Sequence, residues 1–122
     1  MPRRVLLIDD SALVLEVTRS ILTKAGYDVA IAMTVEDFER ERRDHPPDLM
    51  IIDVQMPEVF GDDLAGTLRG AYKVKTPMIL LSSLSEEELA ERAAEALIEG
   101  FVTKKAGPDA LLEKVREVVG PP

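Results

Sequence analysis

The chain has no cysteine and no tryptophan, and aromatic residues make up only 4% of its 122 positions. The lack of cysteine excludes a disulfide framework and any metal site built on thiolates. The N-terminal segment also lacks a long hydrophobic run, because only four apolar residues separate Arg4 from the first aspartate. A run of four is too short for a signal peptide or a membrane span. These absences predict a cytoplasmic protein that is not bound to a membrane.

An excess of positive charge is missing as well. The chain has 15 lysines and arginines against 23 aspartates and glutamates, a net charge of −8. Nonspecific attraction to nucleic acid or to an anionic membrane needs clustered basic residues. We therefore expect no direct contact with nucleic acid or membrane, and we expect other proteins as partners.

The residues that are present suit one compact domain over positions 1–122, since 46% are hydrophobic and the length fits a single core. Segments with helical spacing separate five short apolar runs, and this alternation predicts a parallel sheet covered by helices on both faces. The predicted strands are Val5–Asp9, Tyr27–Ala32, Leu49–Asp53, Met78–Ser82 and Phe101–Thr103.

The predicted helices have recognisable ends. Ser11 is placed to cap the first helix and Gly26 to end it. Ser85 with Glu88 forms a capping-box pattern for the fourth helix, and Pro108 suits the first position of the last one. The inward stripe expected for the first helix is Val14, Val17, Thr18, Ile21, Leu22 and Ala25.

Polar side chains follow four of the strands. Asp9 and Asp10 end the first, Asp53 the third and Ser82 the fourth, and Lys104 follows the fifth. The carboxyl ends of parallel strands share one edge of the sheet, so we expect these side chains to converge. Taken singly, each has an ordinary explanation: an aspartate capping a helix, a serine closing a turn, a solvated lysine.

Together, the five side chains suit phosphoryl transfer to a carboxylate. Mg²⁺ prefers oxygen ligands, which the three aspartates can supply. A metal ion and the Lys104 ammonium would keep Asp53 ionised as a nucleophile. The metal, Lys104 and the Ser82 hydroxyl would stabilise the charge that develops on a transferred phosphoryl group.

At these positions the chain resembles the receiver domain of two-component response regulators. The resemblance is carried in order by Asp9-Asp10, Asp53-Val54-Gln55-Met56-Pro57, Ser82-Ser83 and Phe101-Val102-Thr103-Lys104. It implies a single-domain (βα)5 flavodoxin-like fold, a doubly wound parallel sheet of strand order 2-1-3-4-5.

The resemblance also implies roles for the site residues. Asp53 would accept a phosphoryl group from a histidine kinase or a histidine phosphotransfer protein. Asp9, Asp10, Asp53 and the Gln55 backbone carbonyl would bind Mg²⁺, with Ser82 and Lys104 contacting the phosphoryl group. Gln55 and Leu84 stand where such domains tune dephosphorylation. A protein of this kind catalyses only its own phosphorylation and dephosphorylation and is not otherwise an enzyme.

The implied output is a change in binding to a partner protein through the face formed by the fourth helix, fifth strand and fifth helix. Ser82 would move towards the phosphoryl group, and Phe101 would follow into the space that it leaves. Without a hydroxyl, Phe101 has no outward hydrogen bond to donate, so we expect a switch based on packing. A plain core phenylalanine is the alternative.

The chain departs from the family pattern in three places. Lys105 stands where a cis proline is usual, which predicts a trans bond with a reshaped loop or a strained cis bond. Ala106 replaces a large aromatic residue and leaves less apolar surface for docking a kinase. Leu97 replaces a glycine, so we expect the fourth helix to run longer or to end irregularly. Either Leu97 and Ile98 are both buried, or at least one is exposed on the output face.

On the first helix, Leu13 and Leu15 lie off the expected inward stripe. They would form an apolar patch beside Asp10 where a kinase docks, unless a neighbouring loop buries them.

Other functions stay open. A receiver fold that signals without phosphate is conceivable because of Lys105, Ala106 and the altered helix end. The chain could also be the receiver of a longer regulator with a DNA-binding or enzymatic output domain. A phosphatase of the haloacid dehalogenase type fits poorly, because Gln55 stands where its general acid would be. A flavodoxin fits worse, since Asp9 and Asp10 would repel the flavin phosphate.

Overall fold

One parallel sheet organises the molecule, whose computed structural model describes residues 2–122. Its strands are β1 Arg4–Ile8, β2 Asp28–Ala32, β3 Leu49–Ile52, β4 Met78–Ser82 and β5 Gly100–Thr103. The helices are α1 Ala12–Lys24, α2 Val35–Asp44, α3 Gly61–Gly70, α4 Glu86–Ala96 and α5 Pro108–Val119, with a 3-10 turn at Lys104–Ala106. The strand order β2-β1-β3-β4-β5 confirms the predicted doubly wound fold.

The sheet separates two apolar cores, because successive side chains of a strand point to opposite faces. In β1, Leu6 and Ile8 join the core beneath α2, α3 and α4, whereas Val5 and Leu7 join the core beneath α1 and α5. The central strands β3 and β4 are buried throughout. Covered on both faces, they carry continuous apolar runs, which is why the sequence located them well.

The predicted helix starts are confirmed. The Ser11 hydroxyl accepts a hydrogen bond from the Val14 N–H at 3.3 Å, and the Ser85 hydroxyl accepts one from the Glu88 N–H at 3.2 Å. Pro108 is the first residue of α5. Capping hydroxyls satisfy N–H groups that have no partner within the helix. None of the helices in residues 2–122 is long and apolar enough to cross a membrane.

The inward stripe predicted for α1 is partly wrong. Leu15 is buried to 1% exposure together with Thr18 and Leu22, whereas Val17 is 51% exposed. Residues 13–15 and 17 are all apolar, so the pattern did not fix which side of the helix faces the sheet. Contacts with the sheet decide it: Leu15 belongs to the core and Leu13, at 73% exposure, lies on the surface.

The predicted irregular or extended end of α4 is also wrong. The helix stops at Ala96, and Leu97 takes the left-handed conformation with φ 60° and ψ 45°. The Leu97 and Ile98 N–H groups donate to the carbonyls of Ala94 and Ala93, both at 3.2 Å, which is the pattern of a Schellman cap. These bonds and the packing of half-buried Ile98 against the core offset the left-handed strain, about 1–2 kcal/mol for a non-glycine residue. Leu97 itself is 74% exposed.

The bond between Lys104 and Lys105 is trans, so the first of the two predicted alternatives is correct. Lys104, Lys105 and Ala106 form the 3-10 turn that follows β5. The Thr103 hydroxyl accepts a hydrogen bond from the Lys105 N–H at 3.4 Å and caps this turn. The loop after β5 therefore starts with this capped turn at Lys104.

Candidate functional site

Three carboxylates meet at the carboxyl edge of the sheet. Asp9 and Asp53 follow the neighbouring strands β1 and β3, and the Asp53 N–H donates to the Ile8 carbonyl at 3.0 Å. Asp9, Asp10 and Asp53 each place one oxygen within 4.8 Å of the others. Asp9 and Asp53 are buried to 4% exposure, while Asp10 is exposed. The convergence expected from the strand ends is therefore confirmed for the acids.

The Lys104 ammonium joins this cluster from the turn that follows β5. Its Nζ atom lies 2.9 Å from Asp9 Oδ2 and 3.5 Å from Asp53 Oδ1. One cation thus bridges two buried carboxylates that would otherwise repel each other at close range. The alternative of a freely solvated lysine is therefore wrong, and the expected convergence of Lys104 with the acids is confirmed.

Asp9 has a structural contact in addition to its place in the cluster. Its Oδ1 atom accepts a hydrogen bond from the Ser11 N–H at 2.9 Å, while Oδ2 faces Lys104. The backbone contact and the lysine fix the orientation of the carboxylate before any ligand arrives. The N-cap of α1 is Ser11, so the capping explanation for Asp9 is wrong, and the Asp9 carboxylate lies in the acid cluster.

Asp53 is the acid most affected by its surroundings. Burial, followed by the charge of Asp9 and to a smaller extent that of Asp10, raises its pKa from 3.8 to about 6, against the lowering effect of Lys104. At neutral pH the carboxylate is still mostly ionised. An ionised, poorly hydrated carboxylate is a better nucleophile than one surrounded by water.

Ser82 lies on β4, next to the strand that precedes Asp53, and Phe101 lies on the edge strand β5. Ser82 is fully buried and in register with Thr103, and its hydroxyl accepts a hydrogen bond from the Leu84 N–H at 3.4 Å. Phe101 is half-buried and packs against the core beneath α4. Hence Ser82 closes a turn in this conformation, and Phe101 is not a fully buried core residue. Their movement in a switch stays a prediction.

The loop between β3 and α3 folds back over Asp53. Gln55 pairs with Phe60 in an antiparallel bridge, and the Gly61 N–H donates to the Val54 carbonyl at 2.9 Å. A Cβ atom on Gly61 would lie 1.8 Å from the Asp53 carbonyl oxygen, so a side chain there would force the backbone apart. Sequence reasoning missed Gly61, although a glycine eight residues after the acid was a visible signal.

Two further contacts hold the same loop. Glu58 Oε1 accepts a hydrogen bond from the Val35 N–H at the start of α2, at 3.1 Å. The Ser83 hydroxyl donates to the Gln55 side-chain carbonyl at 3.5 Å, while Gln55 stays exposed. The loop beside Asp53 is thus hydrogen-bonded to the start of α2 and to the segment between β4 and α4. The role of the Gln55 backbone carbonyl as a metal ligand stays a prediction.

The acid cluster fits a magnesium ion. Mg²⁺ prefers oxygen ligands and is usually bound through one or two carboxylates with several waters. Three carboxylate oxygens within 4.8 Å of one another would supply such ligands. Exposed Asp10 leaves one side of the cluster open to water molecules, which Mg²⁺ usually retains.

The sequence model of the response regulator receiver domain matches residues 5–116. The chain belongs to this family. Receiver domains are signalling modules that interact with histidine kinases and output proteins, and they bind Mg²⁺ at an acidic cluster of this kind.

Three relatives illustrate the range of the match. The transcriptional regulatory protein KdpE of Mycobacterium tuberculosis is 36% identical, over 94% of this chain and 50% of KdpE. The chemotaxis protein CheY of Thermotoga maritima is 28% identical, over 97% of this chain and 98% of CheY. A response regulator structure from Chloroflexus aurantiacus superposes with a TM-score of 0.89 at 26% identity and covers 98% of both chains.

This receiver domain therefore matches relatives of two kinds. It spans half the length of the KdpE relative but nearly all of CheY. A protein-glutamate methylesterase of Archaeoglobus fulgidus is 37% identical, and the match covers only 32% of its length. The same domain thus occurs alone and joined to different output domains among its relatives.

Proposed function

We propose that this receiver domain accepts a phosphoryl group on Asp53 in a Mg²⁺-dependent reaction and thereby changes its affinity for a partner protein. The observation that carries the proposal is the meeting of Asp9, Asp10 and Asp53 with the Lys104 ammonium. Family membership supports the phosphoryl donor, a histidine kinase or a histidine phosphotransfer protein.

Each residue has a separate task in this proposal. Asp53 is the nucleophile, and Asp9 and Asp10 supply carboxylate oxygens to the metal. Lys104 leaves its place between Asp9 and Asp53 to neutralise an oxygen of the incoming phosphoryl group, and the Ser82 hydroxyl turns from Leu84 to donate to another. The bound metal would supply further charge neutralisation for the phosphoryl oxygens. The Gln55 backbone carbonyl is the remaining protein ligand that we propose for it.

A groove beside Lys104 supports a docking place for the phosphoryl donor. It lies between α1 and α5 with a volume of about 300 Å³, and Leu13, Val17 and Lys104 are among its lining residues. A donor protein seated there would place its phosphohistidine close to the acid cluster. The sequence predicted a docking patch of Leu13 and Leu15. Because Leu15 is buried, we propose the exposed pair Leu13 and Val17 instead.

The output partner is proposed to bind the face formed by α4, β5 and α5. Phe101 lines a second groove on this face, together with Glu86, Ala106 and Lys114. A half-buried Phe101 has room to change its position when Ser82 turns. The change in its packing would alter the surface that the partner contacts.

The test is phosphorylation with acetyl phosphate and Mg²⁺, followed by intact-mass analysis. Wild type should gain the mass of one phosphoryl group, and the gain should be absent in Asp53→Ala and in the presence of a chelator. Asp109→Asn, an exposed acid in the first turn of α5, is the control and should react like wild type. Absence of the adduct, even with a kinase that phosphorylates a related receiver, would favour the alternative of a protein-interaction module that works without phosphate.

A second candidate is a receiver that belongs to a longer regulator. The half-length match to the KdpE relative favours it, since that relative is a transcriptional regulatory protein. In that case the proposed output face would contact a DNA-binding or enzymatic domain of the same protein. The chemistry at Asp53 would be unchanged.

A further inference from the structure

The first turn of α3 is held in an unusual way. Its N-cap residue is Phe60, whose side chain makes no capping hydrogen bond, whereas helices usually begin with a serine, threonine, aspartate or asparagine that does. The Phe60 ring is 55% exposed. The start of this helix is held instead by the bridge between Gln55 and Phe60, by the bond from the Gly61 N–H to the Val54 carbonyl and by side chains of a neighbouring helix.

The side-chain contacts come from Arg92 on the neighbouring helix α4. Its guanidinium carbon lies 5.7 Å from the centre of the Phe60 ring, within the range of a cation–π interaction. Its NH1 atom donates to both carboxylate oxygens of Asp62 at 3.1 and 3.2 Å, and NH2 reaches Glu88 at 3.3 Å. A planar guanidinium can serve a ring face and a carboxylate at once, which a lysine does less well.

Phe60 and Asp62 are the two neighbours of Gly61 in the chain. Gly61 rests directly on the Asp53 backbone: an added Cβ would lie 1.8 Å from the Asp53 oxygen and 2.7 Å from its carbonyl carbon. The bridge between Gln55 and Phe60 ties the rest of the loop to the same point. Because no side chain separates Gly61 from Asp53, a shift of the Phe60–Asp62 segment must move the Asp53 peptide.

We propose that Arg92 is a positioning residue for the phosphoryl chemistry at Asp53, a role that rests on the proposed function. Arg92 holds both neighbours of Gly61 and so fixes the backbone that carries the acceptor carboxylate. Misplacement of a reacting group by about 1 Å can lower a rate by about a hundredfold. The hydrogen bonds of Arg92 go to Asp62 and Glu88 and not to Asp9, Asp10 or Asp53, so its effect on the chemistry is through the position of Asp53.

The chain offers two matched controls. Arg69 also joins α3 to the end of α4, through the Leu97 carbonyl at 3.0 Å and Glu99 at 2.5 Å, but it stands in the last turn of α3, away from Asp53. Glu88 shares the Arg92 guanidinium without contacting the loop. Arg69→Gln should lower stability, and Glu88→Gln should remove one ion pair. Neither should displace Asp53.

The experiment measures the phosphorylation rate of Arg92→Gln, Arg92→Lys, Arg69→Gln and Glu88→Gln over a range of acetyl phosphate concentrations. Each protein is first shown to be folded by circular dichroism at the assay temperature. In Arg92→Gln the rate at saturating donor should fall at least about fivefold while the half-saturating concentration stays unchanged. Arg92→Lys should recover part of the loss, and both controls should match wild type.

The outcomes separate the two proposals. If wild type forms no adduct on Asp53, the proposed function fails. If wild type reacts but Arg92→Gln stays within twofold of it, the positioning role of Arg92 is overturned. An equal loss in Arg69→Gln overturns it too, because a general loosening of α3 would then account for the effect.

Discussion

Asp53 combines its proposed role as phosphoryl acceptor with a cost to the fold. Its pKa is raised to about 6, so in the folded protein the charged form is disfavoured relative to the unfolded chain. The contribution of Asp53 to the free energy of unfolding is therefore fully present below about pH 4 and is lost as the pH rises through about 6. A carboxylate that is buried beside other carboxylates destabilises the metal-free protein at neutral pH.

We predict that Asp53→Asn is more stable than wild type at pH 7.5 in metal-free buffer, by about 2–3 kcal/mol. The asparagine keeps the shape and removes the disfavoured charge. Urea denaturation between pH 4 and pH 8 should show the difference growing from near zero, with no such growth for Asp109→Asn. A less stable Asp53→Asn at pH 7.5 would mean that Lys104 outweighs burial.

Leu97 is a second residue whose conformation has an energetic consequence. It adopts the left-handed conformation while its side chain is 74% exposed. The backbone is therefore strained, and the side chain contributes little packing to offset the strain. Leu97→Gly should raise the free energy of unfolding by about 0.5–1 kcal/mol. Leu97→Ala keeps a Cβ atom and should bring no gain in urea denaturation. Stabilisation by alanine equal to that by glycine would refute the strain.

At the scale of whole elements, the sequence predicted the strands within one residue at each end. Val5–Ile8 and Leu49–Ile52 are uninterrupted apolar runs with a polar residue at the end, and burial on both faces of the sheet demands such runs. The positions of the acids and Lys104 at the strand ends then identified them as candidates for the site. Parallel topology alone brings them to one edge.

The helices were harder to predict because their surroundings decide their orientation. Four apolar residues at positions 13–15 and 17 allowed more than one inward side for α1, and only packing on the sheet selects Leu15. The contact of Arg92 with Phe60 depends on how α3 and α4 lie beside each other, which no local pattern contains. The cap at Leu97 likewise depends on tertiary support.

The surface of α1 gives a prediction about docking. Leu13→Ala combined with Val17→Ala should slow phosphotransfer from a histidine kinase that phosphorylates wild type, because both exposed residues line the groove beside Lys104. Phosphorylation by acetyl phosphate should be unchanged, and stability should change by less than about 0.5 kcal/mol.

Two variants serve as controls for this experiment. Leu15→Ala removes a core contact on the same helix and should cost about 2–5 kcal/mol. Tyr72→Ala removes an exposed apolar side chain, 68% accessible, that is not among the residues lining this groove, and should leave phosphotransfer intact. Unchanged phosphotransfer in the double variant would rule out docking at this groove.

At the scale of the whole molecule, the sheet divides the interior into two apolar cores, one on each of its faces. Ile51 and Ile52 are consecutive in β3, yet Ile51 belongs to the core beneath α1 and α5 and Ile52 to the core beneath α2, α3 and α4. Ile8 is in register with Ile52 and shares its core.

We predict that the losses of stability from Ile51→Val and Ile52→Val add within about 0.3–0.5 kcal/mol, because the two side chains belong to different cores. Each change alone should cost about 0.5–1.5 kcal/mol. Ile8→Val with Ile52→Val should deviate from additivity, since both side chains pack in one core. Urea denaturation of the two double-mutant cycles provides the comparison, and a larger deviation in the Ile51 cycle would contradict separate cores.

The net charge of −8 has a consequence for how reactants reach the site. The negative field of the molecule adds to that of the acid cluster, so it draws divalent cations inward and repels anionic phosphodonors at long range. Added monovalent salt screens both effects over about 10 Å at 0.1 M. Rising ionic strength should therefore weaken Mg²⁺ binding yet speed the encounter with acetyl phosphate at saturating metal. A donor protein with a basic docking surface would associate faster as the salt concentration falls.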